Sequence, residues 1–131
     1  MIAVDASAIV ELLTDERSLA ERVRGELALD AEWAVPEHTP VEVVSALRGL
    51  WVGGRCDDAE LDARLAAFSS LHFTAFAVMG LVSRMRPMLH NTTAYDAAYL
   101  ALAEALNVPL LTLDRKLVDV PGSSADVRLI R

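Results

Sequence analysis

Four acidic residues stand in apolar surroundings. Asp5 follows Ile2-Ala3-Val4, Glu42 opens an apolar helix, Asp96 interrupts Ala94-Tyr95-Asp96-Ala97-Ala98-Tyr99, and Asp114 ends Leu110-Leu111-Thr112-Leu113. A carboxylate among apolar neighbours is costly to bury unless it is hydrogen-bonded, paired or metal-bound. Gathered together, four such oxygen donors suit a hard divalent cation. Each acid also has a plain structural explanation. Asp5 can cap a helix that starts near Ser7. Thr39-Pro40-Val41-Glu42 has the form of a capping box, with Thr39 at N-cap, Pro40 at N1 and Glu42 at N3. Asp114 can cap the turn through Arg115, Lys116 and Leu117. Asp96 resists this treatment, because it shares a helical face with Tyr99, Leu100, Ala103 and Asn107, and capping there falls to Asn91, Thr92 or Thr93. The set points to a site more strongly than any one member does.

Positioning these acids requires particular elements. Hydrophobic periodicity predicts strands over 2–4, 33–35, 72–76, 109–113 and 127–130, and helices over 7–13, 19–29, 40–51, 57–68, 78–89 and 93–106. A helical turn is expected over 115–118 and a loop over 121–124. Asn107 suits a left-handed helix C-cap. Short strands alternating with helices imply an α/β fold, a short parallel sheet covered on both faces. In such sheets ligands bind beyond the carboxyl ends of the strands. Asp5 and Asp114 fall at strand ends, and Glu42 and Asp96 in first turns of helices, so all four can converge on one edge.

The 131 residues, 53% of them hydrophobic, fit a single globular domain spanning 1–131. The uncharged stretch 65–83 is nearly long enough to span a membrane, but Ser69, Ser70, His72, Thr74, Gly80 and Ser83 interrupt it, and no membrane association is expected. One cysteine, Cys56, gives no internal disulfide, and no secretory signal is visible, so the expected location is the cytoplasm. The net charge of −7 is unlike the basic face of most nucleic-acid binders. Acids neutralised by metal remove part of that objection, and surplus acid suits a basic protein partner. His38, His72 and His90 show no metal-ligand spacing and read as helix-end or partly buried histidines.

The motifs resemble those of the PIN-domain ribonucleases, and within them the VapC toxins of bacterial toxin–antitoxin pairs. The resemblance is carried by Asp5-Ala6-Ser7, by Pro40-Val41-Glu42, by the helix from His90 through Tyr95-Asp96-Ala97-Ala98-Tyr99 to Ala103, and by Thr112-Leu113-Asp114-Arg115-Lys116. It extends over nearly the whole chain. It implies a PIN-like three-layer α/β/α domain and a Mg²⁺- or Mn²⁺-dependent endoribonuclease that is homodimeric and held inactive by a cognate antitoxin. Asp5 and Asp96 would be the most direct metal ligands, with Glu42 and Asp114 acting directly or through water. Ser7 and Thr112 can hydrogen-bond the carboxylates, and Arg115 and Lys116 can contact phosphate.

Other readings compete. A receiver-like phosphoacceptor domain also has an acidic Mg²⁺ pocket, but Asp5 lacks an acidic neighbour and the strand over 72–76 ends without an Asp. A haloacid-dehalogenase-type phosphatase needs Asp-x-Asp, and Ser7 takes the second place. A catalytically inactive PIN-like binding module is the third, against which the complete set of acids argues. With a mean hydropathy of +0.33, apolar side chains are expected to remain exposed as interfaces. Leu12, Val44, Leu47 and Trp51 are the candidate groove residues, with core packing as the alternative for each.

Overall fold

The computed structural model of the chain describes residues 1–14 and 18–131. In chain order the elements are β1 (Ile2–Val4), α1 (Ala6–Thr14), α2 (Ser18–Leu27), β2 (Trp33–Pro36), α3 (Thr39–Val52), α4 (Asp58–Ser69), β3 (Thr74–Phe76), α5 (Val82–Met85), α6 (Ala94–Leu106), β4 (Leu110–Thr112) and β5 (Val127–Leu129). Single 3-10 turns lie at Met79–Leu81, Arg86–Met88 and Arg115–Leu117.

All strands are parallel, in the order β3-β2-β1-β4-β5. The chain steps outward from β1 to β2 to β3, then crosses back past β1 to β4. Right-handed crossovers therefore place α1 to α4 on one face and α5 with α6 on the other, giving three layers. β1 and β4 are fully buried, as expected of central parallel strands covered on both faces. Ala3 pairs with Leu110 and Val4 with Leu111, which brings the ends of β1 and β4 level.

The helix α6 carries no polar stripe in its middle. Ala97 through Ala103 are all buried, because the helix crosses β1, β2 and β4 and is flanked by α5. Thr93 caps it by accepting the Asp96 amide at 3.2 Å, and Asn107 ends it in the left-handed conformation at φ 52°.

The single helix expected over 78–89 is replaced by a 3-10 turn, one α turn and a second 3-10 turn. Pro87 supplies no amide hydrogen and cannot continue an α-helical ladder. The segment is held by burial of Leu81, Met85 and Met88 instead. Gly122 packs on this break: its φ is +90°, and a Cβ there would lie 2.3 Å from the Pro87 carbonyl oxygen. Gly122→Ala should therefore destabilise the protein by about 2 kcal/mol or more, read as a lower urea midpoint. Gly25→Ala, in a helix with nothing within 4 Å, should stabilise it slightly. Equal midpoints for the two variants would contradict this packing.

Candidate active site

The order of the sheet reverses between β1 and β4, where the connections leave in opposite directions, and such switch points open a crevice at the carboxyl edge. Asp5 follows β1 at that point. It is 5% exposed, and its backbone amide donates to Leu111 O at 3.0 Å. Its carboxylate oxygen Oδ2 accepts from Ser7 Oγ at 2.6 Å and from Thr112 Oγ1 at 2.7 Å. Both hydroxyls are themselves oriented. Ser7 Oγ accepts the Leu113 amide at 3.1 Å, and Thr112 Oγ1 accepts the Asp114 amide at 2.9 Å. Each hydroxyl thus spends its hydrogen on Asp5, so the 3.3 Å approach of Ser7 to Thr112 is a contact without a donor. The network ties the loop after β1 to the loop after β4.

The other acids reach the same edge from different elements. Asp114 follows β4 and caps the turn Arg115–Leu117 by accepting the Lys116 amide at 2.9 Å. Asp96 sits in the first turn of α6, and Glu42 in the first turn of α3. Electrostatic coupling links them. Burial raises the Asp5 carboxyl above its ordinary range, and Asp114 raises it further, against the hydroxyl bonds that lower it. Burial raises Asp96, with Asp5 and Asp114 adding to the effect and Lys116 opposing it. Burial lifts Glu42 to about 7, with Asp5 and Asp96 adding to it. Asp5 and Asp96 are therefore central, each coupled to the other three acids. Arg115 and Lys116 are exposed in the adjoining turn.

Glu42 is not the N3 residue of a capping box. The helix α3 begins one residue earlier, with His38 at N-cap and no side-chain cap. The Thr39 hydroxyl is buried and pairs with Tyr99 Oη at 2.9 Å. Glu42 Oε1 lies 2.7 Å from His38 Nε2. Neither atom has a directed hydrogen bond, and both are buried. Burial also pushes the His38 imidazole below its usual range, against Asp5 and Glu37, so the ring gains little charge to pair with Glu42. A 2.7 Å approach still needs a proton on one of the two atoms, so His38 is the neighbour that Glu42 Oε1 meets.

His38, Thr39, Tyr95 and Tyr99 are neighbours of the site that were not among its candidate residues, although Thr39, Tyr95 and Tyr99 stand in the motifs around Glu42 and Asp96. The His38 ring stands edge-on to Tyr99 at 5.2 Å and to Tyr95 at 5.7 Å. The i,i+4 spacing of His38 and Glu42 was the available signal. Of the candidate groove residues, Val44 and Trp51 are exposed, but Leu47 is fully buried and belongs to the core. It faces inward with Val43 from α3, one helical turn apart.

The donor set, all carboxylate oxygen, fits a hard divalent cation. Among the described residues, no three His, Cys, Asp or Glu side chains are yet gathered closely enough to hold an ion.

A short parallel α/β/α domain with acids at the switch point is the architecture of the PIN domain, whose family profile matches residues 2–123. The chain belongs to the PIN-domain family. It is 35% identical to Ribonuclease VapC12 of Mycobacterium tuberculosis over 99% of both chains. It superposes on PAE2754 from Pyrobaculum aerophilum with TM-score 0.71 at 26% identity, over 96% of this chain and 81% of that one. It also superposes on VapBC2 from Rickettsia felis, solved bound to a promoter DNA fragment, with TM-score 0.72 at 13% identity over all of both chains. Among the described residues no helix is long and apolar enough to cross a membrane.

Proposed function

We propose that this protein is the ribonuclease toxin of a toxin–antitoxin pair and hydrolyses RNA phosphodiester bonds with Mg²⁺ or Mn²⁺ held at Asp5, Asp96, Glu42 and Asp114. The observation that carries the reading is the placement of these acids: Asp5 is buried at the end of β1 with two hydroxyls on one oxygen, and it is electrostatically coupled to Asp114, Asp96 and Glu42. The relative named a ribonuclease supports the RNA substrate.

Asp5 and Asp96, central to the cluster, are the direct ligands, while Glu42 and Asp114 act directly or through water. A divalent cation bound there supplies a lowered pKa for its water and neutralises charge on the phosphoryl oxygens. Ser7 and Thr112 hold the Asp5 carboxylate in one orientation, so no rotamer search is needed on binding. Lys116 and Arg115 offer the phosphate its cationic contacts, which an acidic protein otherwise lacks. The receiver-like and inactive readings gain no observation of their own.

A protein inhibitor of this site would present Arg or Lys to the unpaired acids. The exposed side chains of Val44, Trp51 and Val52 on α3 give such a partner, or a second copy of this chain, an apolar surface. The purified protein should cut total RNA in Mg²⁺ or Mn²⁺, stop in EDTA, and leave fixed ends on mapping. Co-expression with the adjacent small reading frame should give a co-purifying complex that does not cut. Cutting that persists in EDTA would end the metal reading, and a neighbour that neither binds nor inhibits would end the toxin–antitoxin reading alone.

A further inference from the structure

We propose that the cleft between α3 and the start of α6 seats an unpaired nucleobase of the RNA against the ring of Tyr95, beside the phosphodiester to be cut. This rests on the ribonuclease reading above and adds a residue that sets which nucleotide flanks the cleaved bond.

Tyr95 precedes Asp96 and is 63% exposed, a large ring at the surface next to a central acid. It is not loose. The His38 ring stands edge-on to it at 65° and edge-on to the fully buried Tyr99 at 68°. The three rings form a row that runs from the core to the surface, and edge contacts of this kind fix ring orientation. A cleft of about 610 Å³ opens beside Tyr95, lined by His38, Val41, Glu42, Ser45, Ala46 and Tyr95. That is within the size range of small-ligand sites. A second recess, of about 290 Å³, also shares His38 and Tyr95. The tyrosine therefore stands between two open spaces.

The chemistry of the lining selects the occupant. Among the described residues no Lys or Arg lines the cleft, while Glu42 does. The cleft therefore offers a phosphate no cationic side chain of its own. A neutral, flat base would meet an aromatic ring, the apolar Val41 and Ala46, and the hydroxyl of Ser45, which can donate to or accept from a base edge. Sequence-selective proteins read single-stranded RNA in this way, stacking splayed bases on aromatic side chains. The cleft shares Glu42 with the acid cluster, so a base seated there belongs to a nucleotide adjoining the reacting phosphate. The acid edge handles the backbone, and the Tyr95 cleft handles a base.

The test uses the full chain and a library of short RNAs randomised on both sides of the mapped cut. Tyr95→Ala should raise KM by roughly tenfold or more, the scale of one lost base stack, with kcat changed by less than about threefold. It should also flatten the nucleotide preference beside the cut. Tyr95→Phe, which keeps the ring, should restore most of both. A second arm needs no turnover. A single strand carrying 2-aminopurine next to the cut position should be quenched by the wild-type protein in EDTA, where it does not cut, and not by Tyr95→Ala in EDTA. Wild-type cutting with unchanged KM, preference and quenching in the Tyr95→Ala forms would overturn the subsite and leave the ribonuclease reading intact. So would loss of dimerisation or of the co-expressed partner with RNA kinetics unchanged, which would make Tyr95 part of a protein interface. If the wild type cuts no RNA, the ribonuclease reading fails, and Tyr95-dependent quenching of single strands carrying 2-aminopurine at a random position decides the subsite: its presence keeps the base site and its absence removes it.

Discussion

Asp5→Asn or Asp96→Asn should lower RNA cleavage by about a thousandfold or more while the fold persists. Asparagine keeps the shape of the side chain and removes the charge that a cation needs. The two positions are chosen because each is coupled to the other acids. At Asp5 the amide oxygen can still accept from Ser7 and Thr112, so the tie between the loops after β1 and β4 survives in part. Relief of charge repulsion should then raise the melting temperature of the metal-free protein, by roughly 4 °C for each kcal/mol regained. Loss of activity together with a higher melting temperature separates a functional carboxylate from a structural one. A structural Asp5 would give the reverse, a fall in melting temperature that accounts for the loss of activity.

The second large effect is the pH dependence of the metal-free protein. Asp5, Glu42 and Asp96 all hold their protons more tightly folded than unfolded. The native state thus binds more protons than the unfolded state wherever pH lies between the two pKa values, and stability falls as pH rises there. For Glu42 that window runs from 4.5 to about 7, and above it the full penalty is present. His38 acts in the opposite sense. Its lowered pKa costs stability as pH falls through 6.5 and the unfolded chain takes up the proton first. Between pH 5.5 and 8 the acid whose window is fixed is Glu42, and its large shift outweighs the smaller one of the partly exposed imidazole, so in EDTA the melting temperature should be higher at pH 5.5 than at pH 8, by roughly a few degrees. Mg²⁺ or Mn²⁺ should raise it at pH 8 and do little at pH 5.5, where protons compete for the same oxygens. Glu42→Gln should flatten the EDTA profile. A metal-free protein that grows steadily more stable from pH 5.5 to pH 8 would contradict the assignment of these shifts.

Much of this arrangement was legible in the sequence, and the exceptions share a cause. Strands, helices and the parallel sheet followed from periodicity, because each element buries a face whose pattern is local. The region over 78–89 misled because its apolar residues have helical spacing, yet Pro87 and the approach of Gly122 decide the backbone. Two segments have the form of a capping box. Asp57 and Glu60 realise it, at the exposed start of α4. Thr39 and Glu42 do not, because Thr39 is drawn into the core by Tyr99, 60 residues away, and Glu42 faces the acid cluster. Local hydrogen bonding wins at a surface helix end, and tertiary partners win at a buried one. Leu47 was named for a groove and lies in the core, since one helix carries both kinds of apolar residue and only the packing distinguishes them. Ser7 and Thr112 were nameable as hydroxyls near acids. That both choose the same oxygen of Asp5 depends on the registration of β1 with β4, which is a property of the sheet.

Manganese binding is the most direct test of the central claim that the acids of this edge form one divalent-cation centre. Titration of Mn²⁺ into the metal-free protein at pH 8, followed by the loss of the free-ion electron paramagnetic resonance signal, should show saturable binding in the wild type, with cleavage of RNA rising in parallel. Asp5→Asn and Asp96→Asn should both abolish the saturable phase. Saturable binding that survives in both variants, or RNA cleavage at full rate with no manganese bound, would contradict it.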